Sequence, residues 1–416
     1  MILEQVHILE RFLAIRSKTE EICKPLSPED HVVQPIVDVS PPKWHLGHTT
    51  WFFETFVLLP NLKGYKVFDP DYNFLFNSYY ESIGSRVIRT NRGNITRPGV
   101  NEVLKYRSYV DQHMKHYLDQ NPGREVIQLV ELGMQHEQQH QELLIYDIKY
   151  ILGKNPLFPA YGKQNVLPKK EASPLNWLNV EEGTYQIGHK GQGFSFDNEH
   201  GLHTVFLHKY AIADRLITNG EYLEFMENGG YDNFRPWLSE AWEWVNTNKI
   251  NSPEHWHLVE GQWHQYCLNG GLLPLDLNAP VTHISFYEAD AFAKWKGLRL
   301  PTEFEWEVAC KRYGKIDDSS NFSDTGIYQP RSQNQGNNQF YGDVWEWTSS
   351  AYRPYPYYEA PEGAVGEYNG KFMINQMVLR GGSCATPRNH IRLTYRNFFS
   401  PHLRWMFSGL RLAKHI

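Results

Sequence analysis

The sequence predicts a multidomain α and α+β protein: a helical bundle over residues 1–155, a linker over 156–175, and an irregular α+β domain over 176–416. Three observations support that reading. A chain of 416 residues is long for one ordinary core, so two domains are expected. The first part keeps apolar residues three and four apart over Met1–Ile22, Pro42–Leu59, Asn101–Gln120 and Arg124–Leu152. From Asn176 onward the texture changes to short, turn-bounded segments such as TYQIGHK, TVFLHKYAI and MVLRGGSC.

The four periodic stretches predict an antiparallel four-helix bundle with one long excursion at residues 60–100. Gly153–Pro174 is rich in Pro, Gly and Lys and reads as the linker. In the second part only Thr218–Asn228 and Phe286–Lys296 have a clear helical pattern. The opening stretch alternates apolar and charged residues and lacks the continuous apolar run of a signal peptide, and no later stretch is long enough to span a membrane. A cytoplasmic protein that does not insert in a membrane is therefore expected. The net charge of −6, with no basic run, gives nucleic-acid binding little electrostatic support. Aromatics reach 14%, a surplus that suits large-side-chain cores and pockets for flat or cationic ligands. Cys23, Cys267, Cys310 and Cys384 are scattered without CxxC pairing, so they read as reduced thiols.

The sharpest local feature is Gly133–Asp147, GMQHEQQHQELLIYD. On a helix His136 and His140 differ by only about 40° and can chelate one ion, and Gln139 falls within about 60° of His136 on the same face. Glu142 lies roughly 200° from His140, which makes it a poor third ligand. Leu132 and Leu143 share the histidine stripe, so the imidazoles point into the bundle, where unpaired polar groups are costly. In Pro41–Phe56, PPKWHLGHTTWFFETF, a Pro pair precedes the helix start, and Trp44, His48, Trp51, Phe52 and Thr55 share a face. His48 is thus embedded in an aromatic stripe, while His45 is read as facing elsewhere. His113 and His116 fall off this pattern and are read as solvated. Three inward histidines on two helices predict a facial metal site at His48, His136 and His140. Residue type alone leaves zinc, copper and ferrous iron open.

These residues resemble a known combination. The first half is similar to the DinB-like bundle of the ergothioneine-biosynthetic sulfoxide synthases, the EgtB family, through WHLGH and HxxxHxE. The second half resembles the formylglycine-generating-enzyme variant of the C-type lectin fold, through DNEHGLHTV at 197–205, ITNGEYLEFMENGGY at 217–231, PVTHISFYEADAFAKWKGLRLPTEFEWEVA at 280–309, GDVWEWT at 342–348 and LRGGSC at 379–384. The lectin-like motifs alone specify a fold; their fusion to a histidine-bearing bundle is more specific.

The resemblance implies Fe(II) held by His48, His136 and His140, with O2 as co-substrate. It further implies a hercynine substrate whose imidazole Gln139 contacts, and a thiol whose sulfur ends on the imidazole carbon as a sulfoxide. In TYRNFFSP, Asn397 fits the position contacting the betaine carboxylate and Phe398 an aromatic beside it. Phe399 stands where enzymes that take γ-glutamylcysteine have Asp, so cysteine is the expected donor. The excursion NSYYESIGSRVIRTNRGNITRP places Tyr79 and Tyr80 in a motif resembling the branch with loop tyrosines, and Arg86 and Arg89 could clamp a substrate carboxylate. Tyr352 is the alternative catalytic tyrosine. Trp295, Trp306, Trp345 and Trp347 read as core. Cys384 reads as structural, since the copper-binding relatives use a close cysteine pair.

Other readings share parts of this pattern. A selenium-donor homologue would keep nearly every motif. An ovothiol-type synthase acting on histidine usually has an extra methyltransferase domain. DinB-type zinc thiol S-transferases typically lack the lectin-like half. A non-enzymatic binding module predicts no metal.

Overall fold

The periodic apolar stretches of the first part form long helices because each can bury one stripe against its neighbours. In the computed structural model, which describes residues 2–162, 170–191, 193–332, 338–362, 366 and 369–416, they are α1 (Ile2–Cys23), α2 (Pro42–Phe52), α4 (Val100–Leu118) and α5 (Arg124–Gly153). The side chains of α1 are described from Ile8 onward. A short helix, α3 (Tyr72–Phe76), lies in the excursion between α2 and α4. Helix α1 packs on α5, and α2 packs on both α4 and α5. Pro42 at the first helical position starts α2, where its missing N–H costs nothing. The chain then continues through a π-helical turn, Phe53–Leu58, and ends in Leu59–Asn61. The regular α-helix expected over Pro42–Leu59 is therefore interrupted. Such a turn inserts one residue into the spiral and swings the aromatic run that follows.

The chain divides into two units, Met1–Gly162 and Lys163–Ile416. Part of the expected linker, residues 163–169, lies outside the described residues.

In the second unit the strands are short and the sheets small. Strands β1 (Trp177–Val180), β4 (Tyr210–Ala213) and β12 (Ala413–His415) form one antiparallel sheet around β4. Strands β2 (Gly183–Ile187) and β3 (His203–Leu207) pair with each other, as do β5 (Trp256–Val259), β6 (Gln262–Cys267) and β7 (Gly271–Pro274). The fourth sheet runs β10 (Asn397–Phe399), β9 (Met377–Arg380), β8 (Trp345–Ala351), β11 (Ser408–Gly409), with β11 parallel to β8. Among the described residues, four α-helices accompany them: α6 (Asn219–Glu227), α7 (Ser239–Asn248), α8 (Phe286–Trp295) and α9 (Glu303–Tyr313). The sequence pattern anticipates α6 and α8 but not α7 or α9. Helix α9 did carry a signal, the capping box Thr302/Glu305, with Thr302 Oγ1 accepting from the Glu305 N–H.

Trp306, Trp345 and Trp347 are buried as expected, while Trp295 is half-buried beside Phe225 and Phe292. Ion pairs thread this core. Arg411 grips Glu346 with Nε at 2.7 Å and a second nitrogen at 2.9 Å, and Trp306 Nε1 donates to the same carboxylate at 2.9 Å. A buried charge without such partners would be costly, so these pairs tie β8 to α9 and to the chain before β12.

Candidate metal centre

Helices α2 and α5 bring His48, His136 and His140 together in the buried interior of the first unit, with one ligand atom from each lying within 4.8 Å of the others. Two glycines make the approach possible. A Cβ at Gly133 would lie 2.6 Å from the Phe53 ring and 2.9 Å from that of Phe52, so only glycine lets α5 come this close to α2. A Cβ at Gly47 would lie 2.2 Å from the Phe76 ring, so glycine before His48 admits the end of α3.

That approach has a consequence for His48. Its Nδ1 lies 2.6 Å from the Phe76 carbonyl oxygen. A carbonyl only accepts, so Nδ1 bears the proton and Nε2 keeps its lone pair. His48 Nε2 faces His136 Nε2 across 3.2 Å. Two nitrogens each about 2.0–2.1 Å from one ion would stand roughly 3.0–3.4 Å apart, so the spacing fits a shared cation. Burial pushes all three imidazoles toward the neutral form that a metal requires. His136 is pushed down to about 3, while His48 and His140 fall well below the usual range, lowered further by His136 and by the Arg92 guanidinium. The donor set therefore fits ferrous iron, zinc or copper.

Two shells of side chains surround the trio. Trp44 stacks on His48 at 4.6 Å and 11°, and Trp51 stacks on it at 5.6 Å and 18°. Arg92 sits 3.4 Å over the Trp44 ring and donates to Ser40 Oγ at 2.9 Å. Its Nε and the indole Nε1 of Trp44 are buried donors with no acceptor among the described residues. His45, expected to face elsewhere, is buried with Nδ1 2.9 Å from His140 Nδ1 and Nε2 2.8 Å from Asp147 Oδ2. The signal was present in the spacing. A three-residue step is about 60° on a helix, the same offset that keeps Gln139 on the stripe, and Asp147 is about 20° from His140 after two turns. Glu142 bonds the Tyr146 hydroxyl one turn along α5 and is not part of the cluster.

The sulfatase-modifying factor enzyme 1-like domain matches residues 163–416, and the DinB superfamily matches residues 11–144. A hercynine oxygenase of Mycolicibacterium smegmatis is 29% identical over 404 residues, covering 90% of this chain and 91% of that protein. One from Mycobacterium tuberculosis is 30% identical over 300 residues, covering 67% of this chain and 69% of that protein. The chain belongs to the hercynine oxygenase family. It has the expected fusion of a DinB-like bundle to a formylglycine-generating-enzyme-like domain of the C-type lectin fold. Ergothioneine biosynthesis protein 1 of Schizosaccharomyces pombe is 29% identical over 249 residues, which is 57% of this chain and 29% of that longer protein.

Against that family background, the remaining residues singled out in the sequence fall in varied places. Gln139 is half-buried on α5 between the two histidines. Tyr80 is buried, its ring 5.5 Å from Trp51 and 5.2 Å from Phe56, and Tyr79 stacks on it at 4.7 Å, half-buried. A column of rings thus runs from Trp44 through His48, Trp51 and Tyr80 to Tyr79. Arg86 pairs with Glu81 at 2.5 Å, and the exposed Arg89 donates to the Asp38 carbonyl at 2.6 Å. Both guanidiniums are engaged by neighbouring groups of the protein; Arg92, which sequence reasoning passed over, stands by the histidines. His113 is half-buried and bonds the Tyr109 carbonyl, whereas His116 is exposed.

In the second unit, Asn397, Phe398 and Phe399 form β10 and are half-buried. Phe398 stacks on Tyr352 at 4.0 Å and 9°, and Phe399 meets Trp405 edge-on at 5.1 Å. Tyr352 is buried with Met373 and Val378, and its hydroxyl accepts from Asn198 Nδ2 at 2.9 Å. Burial pushes that phenol up, so it stays protonated. Cys23, Cys267, Cys310 and Cys384 are all buried. Among the described residues no helix is long and apolar enough to cross a membrane.

Proposed function

We propose that this protein is a cytoplasmic, non-haem Fe(II), O2-dependent sulfoxide synthase that joins a thiol to the imidazole carbon of hercynine, with cysteine preferred over γ-glutamylcysteine. The observation that supports this most is the inward convergence of His48, His136 and His140 in a chain of the hercynine oxygenase family. Relatives named for hercynine and for ergothioneine biosynthesis support the substrate and the pathway. Cys23 and Cys310, buried free thiols, suit a reducing compartment.

Ferrous iron held by the three imidazoles would supply the electron transfer that couples O2 reduction to carbon–sulfur bond formation. The chain's own groups would bind and orient. Gln139, on the helix face of His136 and His140, would hydrogen-bond the hercynine imidazole. Trp44 Nε1 and Arg92 Nε, two buried donors lacking acceptors among the described residues, would take a substrate carboxylate. In this reading Arg92 assumes the role first given to Arg86 and Arg89. Tyr80, packed between Trp51 and Tyr79, would hold or deliver a proton through its phenol. Asn397 and Phe398 are assigned to the betaine carboxylate and its neighbouring aromatic surface. Phe399 offers Trp405 an apolar edge and no acceptor for a glutamyl ammonium group, which supports cysteine as donor.

The test is anaerobic reconstitution with Fe(II), then O2 with hercynine and an equimolar mixture of cysteine and γ-glutamylcysteine, read by mass spectrometry. Hercynyl-cysteine sulfoxide is the expected product. The glutamyl conjugate would overturn the donor assignment, and iron binding with no conjugate from either thiol would overturn the reaction.

A further inference from the structure

His140 is braced from behind by a chain of two hydrogen bonds. Its Nδ1 lies 2.9 Å from His45 Nδ1, and His45 Nε2 lies 2.8 Å from Asp147 Oδ2. The same carboxylate oxygen accepts from the Ser40 backbone N–H at 2.9 Å. All three side chains are buried, so water does not substitute for these contacts.

The order of protons along the chain follows from its acceptor end. A carboxylate oxygen accepts, so His45 donates from Nε2. A neutral imidazole with its proton on Nε2 has its lone pair on Nδ1, so His140 must donate from its own Nδ1. That leaves the lone pair of His140 on Nε2. Both nitrogens of His45 are used in this chain, and His45 is outside the ligand cluster. The geometry of α2 and α5 explains the pairing. His45 lies one turn before His48, and Asp147 lies two turns after His140, so the brace runs alongside the trio.

We infer that His45 and Asp147 are positioning residues that fix the tautomer and ring orientation of His140, and thereby set how tightly the trio holds a divalent metal. The inference rests on the metal-site reading above. His48 has the equivalent support from a backbone carbonyl, that of Phe76. His140 is therefore the ligand whose orientation two substitutable side chains control.

The experiment is an anaerobic Co(II) titration of the full chain, with affinity from chelator competition and coordination from the visible d–d bands. The proteins are wild type, His45→Phe, Asp147→Ala and Asp147→Asn, each metal-free form checked by circular dichroism. His45→Phe and Asp147→Ala are expected to bind Co(II) roughly 10–100-fold more weakly, with altered bands. Asp147→Asn keeps an oxygen acceptor for His45 and Ser40 and is expected to recover most of the affinity. Wild-type affinity and bands in His45→Phe or Asp147→Ala would overturn the inference while leaving the metal site standing. Failure of the wild type to bind Co(II) would overturn both. Should His45→Phe fail to fold, the two Asp147 variants decide, and equal affinities in them would reject the brace.

Discussion

His48 Nε2 and His136 Nε2 face each other across 3.2 Å from two different helices, while His48 Nδ1 is already committed to the Phe76 carbonyl. If the trio holds iron as proposed, removing either imidazole leaves too few nitrogens to keep it against competing water. On the proposed function the wild type is expected to bind Fe(II) and gain melting temperature from it, and His136→Ala to lose the iron, the turnover and that gain. Elemental analysis after gel filtration, with and without Fe(II), checks this. Stoichiometric iron in the variant would mean that other residues bind the metal.

Tyr80 reaches the trio through intervening rings, 5.5 Å from the Trp51 indole and 5.2 Å from Phe56. A substitution there should spare the metal and alter the chemistry. Tyr80→Phe is expected to keep iron but lower the sulfoxide yield, or divert the thiol to its sulfinic acid. Tyr79→Phe should act in the same direction. Product ratios by mass spectrometry read the effect, and normal sulfoxide formation by both single variants and the double variant would remove these tyrosines from the mechanism.

Phe399 presents an aromatic edge to Trp405 in the β10 segment assigned to substrate. A carboxylate at this position would offer a glutamyl ammonium group a charge-assisted hydrogen bond, worth about 1.5–3 kcal/mol. Phe399→Asp is therefore expected to shift the kcat/KM ratio toward γ-glutamylcysteine by roughly 10–100-fold. An unchanged ratio would place donor selection elsewhere.

Glu137, beside His136 on α5, is buried with its carboxylate held by Arg16 at 2.8 Å, Thr19 at 2.6 Å and Arg107. Burial alone would raise this carboxyl, yet the Arg107 and Arg16 guanidiniums hold it down to about 2. Replacing it leaves two buried cations short of a partner. Glu137→Leu is expected to cost about 3–5 kcal/mol of stability, read from urea unfolding. A loss below about 1 kcal/mol would show that the network is exchanged for water at little cost.

Much of the first unit was legible because long amphipathic helices announce themselves. The 40° step between His136 and His140 and their shared stripe with Leu132 and Leu143 put the imidazoles inside. The π-helical turn Phe53–Leu58 was not legible, since FFETF is aromatic on several faces and gives no periodic mark of an inserted residue. His45 was misread although its 60° offset from His48 resembles that of Gln139 from His136; what decided its direction was Asp147 on another helix, a tertiary partner. Arg92 was hidden for a similar reason. In the short 3-10 helical segment Arg89–Asn94 no apolar periodicity in the sequence says which arginine turns inward, and the indole of Trp44 supplies the answer. In the second unit, helix α7 ends on Lys249 in the left-handed conformation without the usual glycine, so its stop signal was absent.

His390 offers a test of pH dependence away from the metal centre. It is buried beside Phe196 and Tyr395, with Nε2 3.1 Å from the Tyr395 hydroxyl. Burial, and then the nearby Arg392 guanidinium, hold it well below the usual imidazole range, so it stays neutral in the folded protein. In the unfolded chain it takes a proton near pH 6.5. Below that pH the unfolded state binds the extra proton, so stability present at neutral pH is lost as pH falls toward the folded value, by up to about 1.4 kcal/mol per pH unit for this one group. Other buried histidines contribute in the same direction, but they cancel when a variant is compared with the wild type. His390→Gln should therefore show a shallower decline of unfolding free energy between about pH 6.5 and 5. Parallel pH profiles for the two proteins would mean that His390 is protonated in place, with the fold adjusting around the charge.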